Sequence, residues 1–488
     1  MSIGAMLGAF LLLRNDKLMG LLFMRRTESP TTEAKAQTNI GFFQFDGYQG
    51  LDSAYFKNAP VRMALSWQQF EPEPGTFVFN ARNKQARKIE EFIKNGYTVI
   101  PSIRAKSKWA VEPVTVAADS GVQKKGKLNL KGGSEDLCAS APLDLDRTKP
   151  LREGESYSET YYRFVRAIAE RYKGKFPIVV IENEINDPIP EGGDWCSGVD
   201  EYLRLVLTAK KAFHDVDPAV RIADGALQPR PLLWLTIEDY LKRGNRAAAQ
   251  RVYSLLEGKQ IRYEQLLAEK ETVFSEPRVV KAKEFIAMGL YQWVDIGNFH
   301  YVHHPDALAD MVSFVRRNAP PEKPFMSDGF GAARKNVKDE NQAAKEIIYS
   351  ITRLLALDIN PIVLTTVPGN DRVVTSLIDM QGNLKPLNIH AFEAAARFLG
   401  GVTPSSAQET STEKFWSFQF QSLGETITVM WPKENVAQPM NVQTACDVFD
   451  YQNTQVQDTS SISPDAAPIF IVCSHGSSAK TSRVQSRR

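Results

Sequence analysis

The chain has 488 residues, and its 59 Lys and Arg against 57 Asp and Glu leave a formal net charge of +2. That balance, with no basic motif, excludes nucleic acid as an expected partner, and the length suits a large barrel plus a smaller unit better than one small domain. Hydrophobic residues at 43% and charged residues at 24% fit a soluble globular protein.

The first elements are apolar. SIGAMLGAFLLL is a run of 12 residues, broken by RNDK and followed by LMGLLFM and then RR. Neither run reaches the ~20 residues that span a bilayer. A secretory signal carries its positive charge ahead of the apolar core, and none lies before Arg14. The segment reads as a degenerate export signal or as a membrane-associated anchor. The expected location is periplasmic or extracellular, with membrane association through residues 1–37 as the other possibility.

From NIGFFQF onward, short apolar runs alternate with amphipathic helical stretches, the pattern of βα units around a parallel sheet. Strands are expected at about 38–45, 60–67, 97–104, 177–183, 220–227, 293–301, 324–328 and 361–367. Between them ARNKQARKIEEFIKNG reads as a helix stopped by Gly96. YSETYYRFVRAIAERYKGK, GVDEYLRLVLTAKKAFHDVDP and NQAAKEIIYSITRLLALD read as further helices. Eight strands with intervening helices predict an α/β fold, a (β/α)8 TIM barrel over residues 38–400.

Two insertions, 110–155 after the third strand and 231–285 after the fifth, leave the face where such barrels keep their sites. They are expected to shape a groove. After NIHAFEAAARFLGG the texture changes to short alternating strands, KFWSFQFQS, ETITVMWP, TACDVFDY and PIFIVCS. These predict a small antiparallel β-sandwich over 401–474, followed by a polar tail, 475–488, without fixed structure.

Cys138, Cys196, Cys446 and Cys473 lack any C-x-x-C spacing, which argues against a zinc ribbon or redox motif. Cys446 and Cys473 share the terminal strand region, as a disulfide in an exported protein or as two buried thiols. The run HYVHH invites a metal reading. On a strand, however, His300 and His303 face opposite ways, so no metal is expected there.

The chemistry concentrates at IENEINDP. Glu184 sits where the fourth strand ends, preceded by Asn183, in position to face a leaving-group oxygen while Asn183 bonds a sugar hydroxyl. VRMALSWQQFEPEPGTFVFN resembles the second-strand signature of clan A glycoside hydrolases, with its Arg, Trp and Glu-Pro…Gly turn. RFVRAIAERYKGKFPIVVIENEIND resembles their acid/base segment, and VDIGNFHYV their sixth strand with its His and aromatic. Family 39 and related exopolysaccharide hydrolases are the nearest in layout, over about residues 40–473.

The resemblance implies a retaining hydrolase of a polysaccharide or glycoconjugate, working without cofactor. It implies Glu184 as acid/base, Arg62 orienting the nucleophile, Asn183 on the sugar hydroxyl, and His300 with Tyr301 lining the central subsite. Trp109 and Trp67 are sugar platforms on this reading; Trp67 could equally pack beneath the second helix.

The seventh strand departs from the pattern. Relatives carry Thr-Glu-aromatic-Gly there, with Glu as nucleophile, whereas this chain has PFMSDGFGAA. One alignment puts Gly329 at the nucleophile position and the other puts Asp328 there, one methylene short. Three mechanisms remain open. Asp328 serves as nucleophile after a bulge at Gly329; Asp46 or Asp371 acts as base in an inverting arrangement; or the protein binds glycans without cleaving them.

Overall fold

The structure, a computed structural model, describes residues 38–484 apart from 46, 53, 114–138, 187–194, 257–261, 270–272, 333–336, 338, 367–372, 380, 434–438, 440, 444–445, 464, 466 and 475–482. The apolar N-terminal segment, Asp46 and Asp371 lie outside the described residues. Among those described, no helix is long and apolar enough to cross a membrane.

Eight parallel strands form the core: β1 Ile40–Phe43, β2 Pro60–Ser66, β3 Thr98–Arg104, β4 Ile178–Ile181, β5 Arg221–Asp224, β6 Gly297–Val302, β7 Phe325–Gly331 and β8 Ile359–Leu364. Their order in the sheet is β5-β4-β3-β2-β1-β8-β7-β6. The remaining edge is bridged by parallel pairs, Ala223 with Ile296 and Leu227 with Phe299. The sheet therefore closes on itself as a TIM barrel. Buried strands of this kind read as nearly continuous apolar runs, which is why all eight could be placed from sequence.

Helices α1 Lys84–Lys94, α2 Glu159–Arg171 and α3 Val199–His214 follow β2, β3 and β4. Asn83 caps α1 by accepting from the amides of Gln85 and Ala86, and Ser158 caps α2 through the amide of Tyr161; both satisfy donors that a helix start leaves open. After β5 come α4 Pro229–Lys242, α5 Arg246–Leu255, α6 Tyr263–Ala268 and α7 Pro277–Ala287. These helices form the second expected insertion. Trp234 of α4 packs on Tyr253 of α5, and Arg251 pairs bidentately with Asp310 of α8, Leu308–Arg317. The insertion is thus fastened to the outer helix ring. Helix α9 Glu340–Ala356 and helix α10 Pro386–Leu399 complete the barrel.

The barrel lumen has its own small core. Ile100, Ile178, Val180, Ala223, Ile296 and Met326 form a buried cluster separate from the large one between strands and helices. Side chains in register with these residues, or two further along, point into the barrel. Above that apolar layer the lumen turns polar.

The chain ends in a five-stranded antiparallel sheet ordered β13-β14-β11-β10-β9, from β9 Thr403–Glu409, β10 Phe415–Ser422, β11 Glu425–Pro432, β13 Asp447–Phe449 and β14 Ile469–Ser474. β9, absent from the sequence reading, is polar enough (TPSSAQE) to pass for loop. The strand β12 Val442–Gln443 pairs with β15 Arg483–Val484, inside the tail expected to lack structure. This small β-sandwich packs on the barrel helices: Tyr349 of α9 stacks on Trp431 at 4.8 Å, and Phe398 of α10 lies 4.7 Å from Phe470. A disulfide joins Cys446 to Cys473, and Cys196 is disulfide-bonded as well.

Candidate active site

The end of β4 is built to break strand alternation. Glu182 and Glu184 both adopt left-handed backbone conformations, with φ of 68° and 44°. Non-glycine residues pay a steric penalty there, and such outliers gather at functional sites. The turn brings two consecutive side chains, Asn183 and Glu184, to the barrel mouth. Gly225 makes room for it. The amide of Glu184 donates to the Gly225 carbonyl at 2.6 Å, and a Cβ on Gly225 would stand 2.5 Å from the Ile181 carbonyl oxygen.

The end of β7 uses a different device. Its register against β6 shifts between Met326 and Gly329, and against β8 between Ser327 and Phe330. This irregularity acts as a bulge. Asp328 lies two residues beyond Met326 of the lumen cluster, so strand alternation aims it into the lumen, where the Nε of Arg62 lies 2.8 Å from its Oδ2. Strands β2 and β7 are separated in the sheet by β1 and β8, so this ion pair crosses the barrel interior. Arg62 also donates to the Asp328 carbonyl at 3.0 Å and to Asn183 Oδ1 across β3.

His300 ties the two ends together. Its Nδ1 lies 2.8 Å from Glu184 Oε1 and its Nε2 lies 3.0 Å from Asp328 Oδ1. Asn298 adds a donor to Asp328 Oδ1 at 2.8 Å, and Gln228 donates to Glu184 Oε2 at 2.9 Å. The Glu184 side chain keeps 22% of its surface exposed, the Asp328 side chain 0%. Only Glu184 meets solvent.

The charges follow from these partners. Burial opposes ionisation of Asp328, but Arg62, then His300 and Asn298, outweigh it and lower its carboxyl to about 2. Burial likewise opposes ionisation of Glu184, yet His300, Gln228 and Arg62 bring it below the ordinary glutamate value. For His300 burial favours the neutral ring, while Asp328 and Glu184 raise it above the usual histidine range. Below the ordinary histidine value of ~6.5 the site thus holds two carboxylates bridged by an imidazolium, with Arg62 beside them.

No family model and no curated protein matches the chain. Among solved structures, a family 39 glycoside hydrolase from the gut symbiont Bacteroides cellulosilyticus WH2 is similar over 89% of this chain and 80% of its own, with a TM-score of 0.52 and 11% identity. A GH30 endoxylanase from Clostridium papyrosolvens C71 aligns over 90% of this chain and 96% of its own, with a TM-score of 0.47 and 9% identity. The chain has the glycoside hydrolase barrel fold. Identity this low speaks to the fold and leaves the activity to the site itself.

Within this glycoside hydrolase fold the remaining candidates separate. Trp67 is fully buried and stacks on Phe164 of α2 at 5.0 Å, so it is core rather than platform. Its indole donates to Glu71, whose other oxygen accepts from the Gly75 amide; the Trp and Glu-Pro…Gly signature is one turn held by Glu71. Trp109 is half-buried and donates to the Glu71 carbonyl at 3.0 Å. Tyr301 is fully buried on the face of β6 opposite His300, and its hydroxyl donates to the His304 carbonyl. The structure does not bring Tyr301 to the carboxylates. His303 is buried apart from the site, and burial lowers it to about 4. Among the described residues no cluster of three His, Cys, Asp or Glu side chains could hold a metal ion.

Sequence reasoning missed Gln228, Asn298 and Arg104. Arg104, buried at the end of β3, is lowered to about 10 by burial and by Arg62, against the pull of Glu182, Asp328 and Glu184. Arg104 closes β3 and Gln228 follows β5 as the residue before α4, so their place on the C-terminal face was a signal that could have found them; Asn298, the second residue of β6, carried none.

Proposed function

We propose that the protein is a glycoside hydrolase cleaving O-glycosidic bonds of a polysaccharide or glycoconjugate. Glu184 transfers the proton at the leaving-group oxygen, and Asp328 is the ionised second carboxylate. The observation that carries this reading is a pair of carboxylates delivered from the ends of β4 and β7 to one barrel mouth, one reaching solvent and one kept charged by Arg62. Arg62 against Asp328 and Asn183 beside Glu184 are the placements the clan A resemblance implies.

The spacing bears on the stereochemical course. The two nitrogens of an imidazole face away from each other, so the 2.8 and 3.0 Å contacts add across the ring. That supports a carboxyl separation beyond the ~5–5.5 Å of retaining enzymes and within the ~6.5–9.5 Å of inverting ones. We therefore favour inversion over the retaining course that the resemblance implies. Proton NMR of the first-formed product on a panel of oligosaccharides tests this: the inverted anomer is expected, and the retained anomer would overturn the inverting assignment.

A second reading, glycan binding without cleavage, is favoured by Gly329 in the place of a nucleophilic Glu and by the absence of exposed surface on Asp328. It predicts saturable binding with no product from any substrate, and equal binding by Glu184→Gln. Export to the periplasm or the extracellular space is part of the proposal; the Cys446–Cys473 disulfide supports an oxidising compartment.

A further inference from the structure

His300 occupies the space that a ligand of these carboxylates needs. Its ring lies between Glu184 and Asp328, in hydrogen-bond contact with one oxygen of each. The room for it comes from Gly329, which pairs with His300 across β6 and β7. A Cβ at position 329 would stand 2.8 Å from the ring Cδ2 and 3.0 Å from Nε2. Any other residue there would push the ring out, because packed carbons approach only to ~3.5 Å.

Charged groups face the ring from several walls. Glu184 comes from the turn after β4 and Asp328 from β7. Arg62 of β2 brings its Nη1 to 3.2 Å from Nε2, opposing a positive ring. Arg104 at the end of β3 acts on both carboxylates, and Asp224 at the end of β5 acts on Asp328. In direct contact with the ring stand two carboxylates against one guanidinium, itself committed to Asp328, with Arg104 a second guanidinium further off; the place between the carboxylates is the one that suits a cation.

We propose that His300 is the resident occupant of a cation site formed by Glu184 and Asp328, and that a ligand bridges both carboxylates only by displacing its ring. The matching chemical class is a compact organic cation with N–H donors on opposite sides, imidazolium being the simplest. This rests on Glu184 and Asp328 as a working pair, as proposed above, but needs no turnover.

The test uses the full chain and imidazolium chloride, with sodium chloride at equal ionic strength as control, at about pH 6 where imidazole is mostly protonated. A ligand that binds only the folded state raises Tm with concentration. His300→Ala is expected to gain Tm with imidazolium, the unmodified chain to gain none, and His300→Ala combined with Glu184→Gln to lose the gain. Equal responses in the first two, or no response in folded His300→Ala, would overturn the proposal.

If His300→Ala does not fold, nitrogen-15 NMR of the six labelled histidines in the unmodified chain takes its place. His300 is expected to carry protons on both nitrogens at pH 6 and to lose one at a lower pH in Glu184→Gln than in the unmodified chain. A neutral ring at pH 6 would refute the occupant. Failure of glycan cleavage leaves both readouts untouched, so the two proposals fail separately.

Discussion

Strands β4 and β7 each deliver one carboxylate to the barrel mouth, and they do so by opposite means. At β4 the backbone is strained, with positive φ at Glu182 and Glu184, and the side chain keeps contact with solvent. At β7 plain strand alternation after Met326 does the placing, and the side chain ends without exposed surface, fixed by Arg62, His300 and Asn298. A group that must exchange protons with a substrate has to remain reachable. A group that must stay charged is better held by fixed donors in a dry place. The asymmetry assigns different work to two residues of the same chemical type.

The comparison can be broken hardest from the Arg62 side. Removing the guanidinium leaves Asp328 buried with its main counter-charge gone, a change that typically costs ~3–5 kcal/mol. Arg62→Ala should therefore lower the urea midpoint strongly, whereas Asn183→Ala, at the half-buried β4 end, should cost ~1 kcal/mol. Equal losses in the two variants would erase the distinction between the strand ends.

Gly225→Ala tests the β4 turn itself. Its Cβ would press on the Ile181 carbonyl at 2.5 Å, so a destabilisation of ~1–3 kcal/mol by thermal unfolding is expected. A neutral result would mean that the turn has slack.

The dependence on pH sharpens the same contrast, and the signs are fixed by the directions of shift. Asp328 and Glu184 are lowered, so their contribution is full above the ordinary carboxylate range of ~4 and is lost as pH falls, for Asp328 toward about 2. His300 is raised, so its contribution is full below ~6.5 and is lost as pH rises through its higher folded value. The stability gap between the unmodified chain and His300→Ala should peak between those limits. A gap that grows steadily above neutral pH would contradict the imidazolium bridge. Gln228→Ala should have the smallest effect, a rise in the acid limb of the pH–activity curve as Glu184 loses one donor; an unmoved limb would show that Gln228 only fills space.

Much of this arrangement was legible beforehand, for physical reasons. Strands buried on both faces announce themselves as apolar runs, and Glu184 stood out because it closes one of them. Asp328 could be named but not oriented, because which face of β7 it takes is settled only by Met326, two residues earlier, lying in the lumen. Trp67 was ambiguous because a Trp at a strand end serves a core or a sugar equally well; its stacking on Phe164 decides for the core. Gln228 and Asn298 had no periodic signal, since each matters only through one contact across the lumen.

The measurement closest to the central claim is glycan cleavage by Glu184→Gln, followed by product chromatography on polysaccharides that the unmodified chain degrades. Loss of a general acid/base typically costs ~10²–10⁴ in rate, and the glutamine keeps the side chain's shape, so the account predicts that loss with an almost unchanged Tm. Turnover equal to that of the unmodified chain would contradict it.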